Sequence, residues 1–330
     1  MKSKEKWLNP ALGVLLLLTL LLSVRYGSVE LSIEEFWGGL FRREGYKTVT
    51  IILHLRRIPR ALAGLLAGVG LSVSGVLLQN ITNNPLCGPN IIGVNAGAGF
   101  AVILCLSLFP ASLYILPFAA FVGAFATTLL ITALANKAGR SKNTVVLAGI
   151  ACTSVYQAGI SFMSLLDTDV LVSYNSFSIG GLAEVGMDEL YVPCGVIGFC
   201  LAAALMLSRE ISVLCLGDSL ASSLGVRVKR LRVVCLLLAS ASAAAVVSYA
   251  GLLGFVGLVV PHIARKLVGQ GIAKQLVTSS LVGGIVVTLA DLAGRVIAPP
   301  TEIPVGILMA LIGAPFFFIL LLTRRENEIS

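Results

Sequence analysis

Long uninterrupted apolar runs joined by short polar links occupy this chain from residue 8 to residue 322. A helix needs about 20 mostly apolar residues to cross the hydrocarbon of a bilayer, and most of these runs approach that length. The runs are continuous rather than alternating, which selects helices over a transmembrane barrel; a helix satisfies its backbone amides within its own segment. Spans are expected at 8–24, 58–80, 91–109, 115–136, 144–166, 190–208, 230–250, 252–266, 276–296 and 304–322. The eighth is short and is required by the alternation of sides. The expected fold class is all-α integral membrane, with ten transmembrane helices in a single transmembrane domain over residues 1–330. Composition agrees: 57% of residues are hydrophobic and 12% charged, where a soluble domain carries roughly 25% charged.

Charge sorts by side. With both termini placed in the cytoplasm, the inside set holds Lys2, Lys4, Lys6, Lys137, Arg140, Lys142, Arg209, Arg227, Lys229, Arg230, Arg232, Arg265, Lys266, Lys274, Arg324 and Arg325. The outside set holds Arg25, Arg42, Arg43, Lys47, Arg56, Arg57, Arg60 and Arg295, together with most of the acids, among them Glu30, Asp167 and Glu302. This asymmetry is the positive-inside pattern. Arg56, Arg57 and Arg60 crowd the outer start of the second span, and Arg295 sits at the outer end of the ninth, where bases should be sparse. The lysines before the first run imitate a secretory signal, but no A-x-A-like site follows Leu22, so the run is read as a span.

The spans offer little chemistry. HExxH, GxSxG and GxxxxGK[ST] are all absent from the sequence, and His54 and His262 lie in segments assigned to opposite sides. A membrane-embedded enzyme is disfavoured, and no catalytic residue, metal ligand or nucleic-acid site is expected. If ATP drives this chain, another chain binds it. The seven cysteines show no CxxC spacing and are read as small packing residues. Asp291 is the ionisable group inside a span, with Arg295 one helical turn later as its local partner. So few buried charges also disfavour an ion-coupled secondary carrier. Small residues in "AGLLAGVGLSVSG" and "GVNAGAGF" permit close helix packing, and a similar texture after residue 230 hints at an internal repeat.

Residues 216–232, "LGDSLASSLGVRVKRLR", interrupt the oily pattern on the cytoplasmic side. Asp218 is suited to cap a two-turn helix with Leu220, Ala221 and Leu224 as its apolar face, and Gly225 to end it. Such a helix suits either a lipid headgroup layer or a protein groove.

Several long motifs, in order, resemble the permease subunits of bacterial ABC importers for iron–siderophore complexes, haem and cobalamin. They are "RRIPRALAGLLAGVGLSVSGVLLQNITNNPLCGPNIIGVNAGAG" (56–99), "LGDSLASSLGV" (216–226), "GFVGLVVPHIAR" (254–265), "ADLAGR" (290–295) and "TEIPVGILMALIGAPFF" (301–317). The resemblance implies a type II ABC importer permease architecture in the cytoplasmic membrane. It also implies a second permease subunit, two ABC ATPase subunits holding ATP and Mg, and an extracytoplasmic substrate-binding protein. By the same resemblance, no cofactor is expected in this chain itself. The implied cargo is a metal chelate, a ferric siderophore first, haem or cobalamin next; an oxyanion such as molybdate is the alternative within the family.

Residue by residue, the resemblance gives Gly217, Asp218, Leu220, Ala221, Leu224 and Gly225, within a cytoplasmic segment 209–229, the role of coupling to the ATPase. It gives Arg57, Arg60 and Arg295, with Arg56 beside them, the docking of the binding protein. Asn84, Pro85, Leu86, Asn143 and Thr144 fall at cytoplasmic gates, and Thr153, Ser154, Gln157 and Ser161 on a mildly polar face of the fifth span. Pro261 and His262 are expected to fix a helix end near the ATPase.

Overall fold

A computed structural model describes residues 2–90, 93–110, 112–137 and 142–329, with the side chains of 2–6, 113, 135–137, 142–146, 320–321 and 323–329 outside the description. Its helices are α1 (Lys2–Arg25), α2 (Ile33–Leu40), α3 (Lys47–Ile51), α4 (Ile58–Thr82), α5 (Val94–Leu108), α6 (Leu116–Lys137), α7 (Lys142–Leu166) and α8 (Thr168–Ile179). They continue as α9 (Tyr191–Met206), α10 (Ser208–Leu214), α11 (Asp218–Ser223), α12 (Val228–Ala250), α13 (Val256–Val268), α14 (Ile272–Val296) and α15 (Val305–Ile329). No strand occurs among the described residues.

Among the described residues, seven helical stretches are long and apolar enough to cross a membrane: Trp7–Arg25, Lys47–Thr82, Leu116–Leu134, Leu147–Leu166, Asp188–Met206, Val228–Ala250 and Ile272–Val296. The remaining three expected spans are shorter. The third is a helix of 15 residues (α5), the eighth a helix of 13 residues (α13), and the tenth contributes the apolar stretch Val305–Ile319. At about 1.5 Å per residue, α13 covers about 20 Å and cannot cross a core of about 30 Å alone.

The second span starts eleven residues earlier than expected. Pro59 has no amide hydrogen, so the ladder cannot keep its four-residue step there. Residues Ile52–Arg57 instead form a π-helical turn, with the Ile58 amide donating to the Leu53 carbonyl, and α3 and α4 join into one long helix.

Helix α4 is the buried axis, packed by α14, α12, α13 and α9. Its small-residue stripe makes this possible: a Cβ at Gly68 would overlap the Gly283 carbonyl of α14, and one at Gly75 the Gly257 carbonyl of α13. Pro261 lies inside α13 and not at its end, which corrects the expectation for it. Its missing amide frees the Gly257 carbonyl, the one pressed against Gly75, and the Gln79 amide donates to the next carbonyl, Leu258, at 3.2 Å. His262 packs edge-on to Phe316, with ring centres 6.0 Å apart.

After α12, the chain turns at Gly251 (φ 69°) and is held to the end of α8, where Gly181 donates to Ala250 and Leu252 to Phe177; α15 joins the same place through Gly306 donating to Gly180. No disulfide joins any of the seven cysteines, and five of them are buried.

Candidate functional site

Contacts define two ends of the bundle. Asn9–Thr278, Asn80–Gln275 and Asn80–Cys215 lie at one; Arg60–Asp291 and Arg295–Ser23 lie at the other. The two sets of candidate residues fall at opposite ends.

At the first end, residues 215–226 form a knob. Gly217 (φ 115°) turns the chain into α11, six residues long. The far end closes by Val226 donating to Ala221 and Gly225 to Ser222, a Schellman pattern that requires the left-handed backbone Gly225 supplies (φ 83°). Ala221 is fully buried, whereas Leu216, Leu220 and Leu224 are 64%, 56% and 65% exposed. The expected apolar face is thus split: Ala221 anchors the knob and three leucines project from it.

Asp218 is not a cap. It opens the helix, and its carboxylate accepts from Arg232 of α12 at 2.6 Å. Behind the knob, the Cys215 thiol donates to the Asn80 side chain at 3.6 Å, Asn80 donates to Gln275 at 3.3 Å, and Gln275 donates to Gly269 at 2.8 Å. This polar chain ties the root of the knob to the ends of α4, α13 and α14.

At the second end, three of the four arginines expected on an open rim are buried. Arg60 meets both Asp291 oxygens through Nε (2.9 and 3.0 Å) and Glu302 through an amino nitrogen (2.5 Å). Arg295 reaches Asp291 at 3.2 Å, the i,i+4 pair legible in the sequence, and donates to the carbonyls of Ser23 and Tyr26 and to the Ser23 hydroxyl. Arg57 donates to the carbonyls of Val24, Arg25 and Val29. A helix leaves its last carbonyls without intrahelical donors. Arg57 and Arg295 supply donors to those at the end of α1, and that task, not an open rim, is what this subunit gives them. Arg56 alone of the four is exposed.

Together with Gly27–Val29 and Glu302, these arginines line a cavity of about 250 Å³. Burial opposes ionisation of Glu302, but the hydrogen bond and charge of Arg60 outweigh it, and its carboxyl is held below the ordinary range.

Comparison with known proteins decides the family. The model of the FecCD transport family matches residues 15–323. The chain belongs to the FecCD transport family. A FecCD relative, the Fe(3+)-citrate import system permease protein YfmE of Bacillus subtilis, is 35% identical over 99% of both chains. The iron(3+)-hydroxamate import system permease protein FhuB of the same organism is 36% identical over 95% of this chain and 82% of its own. A solved structure described as an inward-facing conformation of a candidate metal-chelate type ABC transporter superposes with a TM-score of 0.86 at 31% identity, covering 96% of this chain and 98% of that one.

In this FecCD chain the remaining expected residues are dispersed. Asn84, Pro85 and Leu86 make a tight Asx turn after α4, with the Leu86 amide donating to the Asn84 side chain at 2.9 Å. Asn84 is exposed and Pro85 and Leu86 are half-buried. Asn143 and Thr144 fall in the first turn of α7, and their side chains lie outside the described residues. On α7, Ser154, Gln157 and Ser161 are exposed and Thr153 half-buried; Ser154 bonds back to its own helix at Ile150. Among the described residues, no group of three His, Cys, Asp or Glu could hold a metal ion. Sequence reasoning missed Glu302 as the partner of Arg60, 242 positions away, and the carbonyls at the end of α1, 32 or more positions from Arg57 and 272 from Arg295.

Proposed function

We propose that this chain is the membrane-spanning subunit of an ATP-driven importer for a ferric chelate. In the working assembly it pairs with a second permease subunit, two ATP-hydrolysing subunits below and an extracytoplasmic binding protein above, in the cytoplasmic membrane with both termini inside. The observation that carries this reading is the knob: Leu216, Leu220 and Leu224 project from a short segment whose single helix is flanked by Gly217 and Gly225, on a chain with no phosphate-binding loop of its own. A rigid apolar projection of that kind transmits a push from a partner. The cytosolic assignment follows from the base-rich loops at the same end. A chelate cargo is supported by the iron-import relatives.

The mechanism is alternating access. Closure of the ATPase pair on Leu216, Leu220 and Leu224 biases a two-state equilibrium between outward and inward openings. The chain Cys215–Asn80–Gln275 carries displacement to the end of α4, from which the Asn84–Leu86 turn hangs as a gate. Asn143 and Thr144 are proposed as the second gate, and the Thr153–Ser161 face of α7 as pathway lining. Ten passes are reached with α5, α13 and α15 as short spans completed by non-helical backbone. On the outer face, Arg56 is the exposed contact for the binding protein, and Arg57, Arg60 and Arg295 shape the pocket beside it.

Reconstitution tests the reading. Vesicles containing this chain and its ATPase partner should accumulate ferric citrate or ferric hydroxamate from the loaded binding protein only when ATP is supplied. Accumulation driven by an ion gradient, with no ATPase chain present, would overturn it.

A further inference from the structure

Helix α2 is amphipathic in an unusual setting. One face holds it to the bundle: Phe36 is buried with Leu31 and Leu53, Thr50 donates to the Gly39 carbonyl at 3.2 Å, and His54 lies 3.3 Å from the Leu40 carbonyl. Its start is fixed by a reciprocal capping box between Ser32 and Glu35. The other face is apolar and uncovered: Ile33, Trp37 and Phe41, at i, i+4 and i+8, are 68%, 47% and 66% exposed. Trp37 and Phe41 stack with ring centres 5.8 Å apart. Arg42, Arg43 and Lys47, all exposed, follow at the C-terminal end, with Glu34 and Glu35 at the N-terminal end.

The level of α2 decides what covers this face. The helix docks beside Thr50 and His54, and from there to Thr82 the continuous α3–α4 helix rises about 45 Å at about 1.5 Å per residue. That equals the thickness of a bilayer with its headgroups, roughly 40–45 Å. With Thr82 at one headgroup layer, α2 lies in the other. Ile51 and Leu55, one and two turns beyond Lys47 on the same long helix, are exposed apolar side chains as well.

We infer that α2 is an interfacial anchor whose Ile33–Trp37–Phe41 face is embedded at the headgroup–acyl boundary of a lipid leaflet, with Arg42, Arg43 and Lys47 reaching its phosphates. The orientation given above makes this the outer leaflet; the anchor itself does not depend on the transport reading. Aromatic rings with a polar edge concentrate at this boundary, and long basic side chains reach phosphate from it. A helix pinned there fixes the height at which the arginine-lined end meets the outer medium, because α2 packs on the same helix that carries Arg56, Arg57 and Arg60.

The chain holds two tryptophans, so Trp7→Phe leaves Trp37 as the sole reporter. The full chain carrying that substitution is placed in phosphatidylcholine–phosphatidylglycerol nanodiscs, which leave both surfaces open to solutes. Lipid brominated near the headgroup end of its acyl chains should quench Trp37 about threefold more than lipid brominated near the tail, and iodide should reach it poorly. Free quenching by iodide without bromine quenching would show a face in water and overturn the anchor. Protection from both quenchers would show a protein cover, a second subunit or a docked partner, and overturn it equally.

Discussion

Neutralising Asp291 tests how the arginine-lined end is held. The Asp291 side chain is 2% exposed and meets Arg60 and Arg295, whose side chains are 9% and 3% exposed. Asp291→Asn preserves shape but leaves two buried guanidinium groups facing one another, with Glu302 still paired to Arg60. Removing one partner of a buried ion pair costs about 3–5 kcal/mol, chiefly because the other charge stays buried. The two contacts share one carboxylate and so do not add; the expected loss is about 4 kcal/mol. By the usual scaling of unfolding entropy with chain length, that lowers the melting temperature by roughly 5 °C.

Buried thiols provide the assay. Cys87, Cys200 and Cys235 are at most 1% exposed, so a thiol-reactive fluorogenic dye reports their release on heating the detergent-solubilised protein. The double variant Asp291→Asn, Arg295→Gln should recover part of the loss by removing a stranded charge. It should stay below wild type, because the Ser23 and Tyr26 carbonyls lose their donors. A single variant that melts with wild type, or a double variant no better than the single, would refute the view that burial of charge governs this cluster.

Further consequences are open to measurement. Gly75→Val places a side chain against the Gly257 carbonyl, backbone that cannot rotate away, and should destabilise by about 1–3 kcal/mol in the same thermal assay. Leu224→Glu changes a side chain 65% exposed, so melting should be unchanged while the ATPase no longer co-purifies and ATP-driven uptake is lost. Asp218→Asn removes a pair whose acid is half exposed and should alter stability by less than about 1 kcal/mol. Glu302 has a lowered folded pKa, so its stabilising contribution is complete above the unfolded value of about 4.3 and fades as pH falls through the folded value. Glu302→Gln should flatten that part of the acid limb in thermal scans taken at decreasing pH.

Sequence alone determined the class of this molecule. Apolar runs of bilayer length leave a chain few choices but helices, and the small residues of α4 announced close packing before any partner was known. Local geometry was equally legible: the Asp291–Arg295 pair follows from four-residue spacing, and Gly225 ends α11 because a left-handed residue must stand there. Tertiary structure decided everything that depends on which distant segments meet. Arg60 reaches Asp291 across 231 positions, Asp218 turns from cap to partner of Arg232, and Arg57 is drawn inside by carbonyls at the end of α1. The long α3–α4 helix also escaped hydropathy, which counts composition and does not see where a proline shifts the ladder. The physical reason is common to these cases. Periodicity reports neighbours within a turn or two, whereas burial of a charge is settled by the donors and acceptors that packing brings to it.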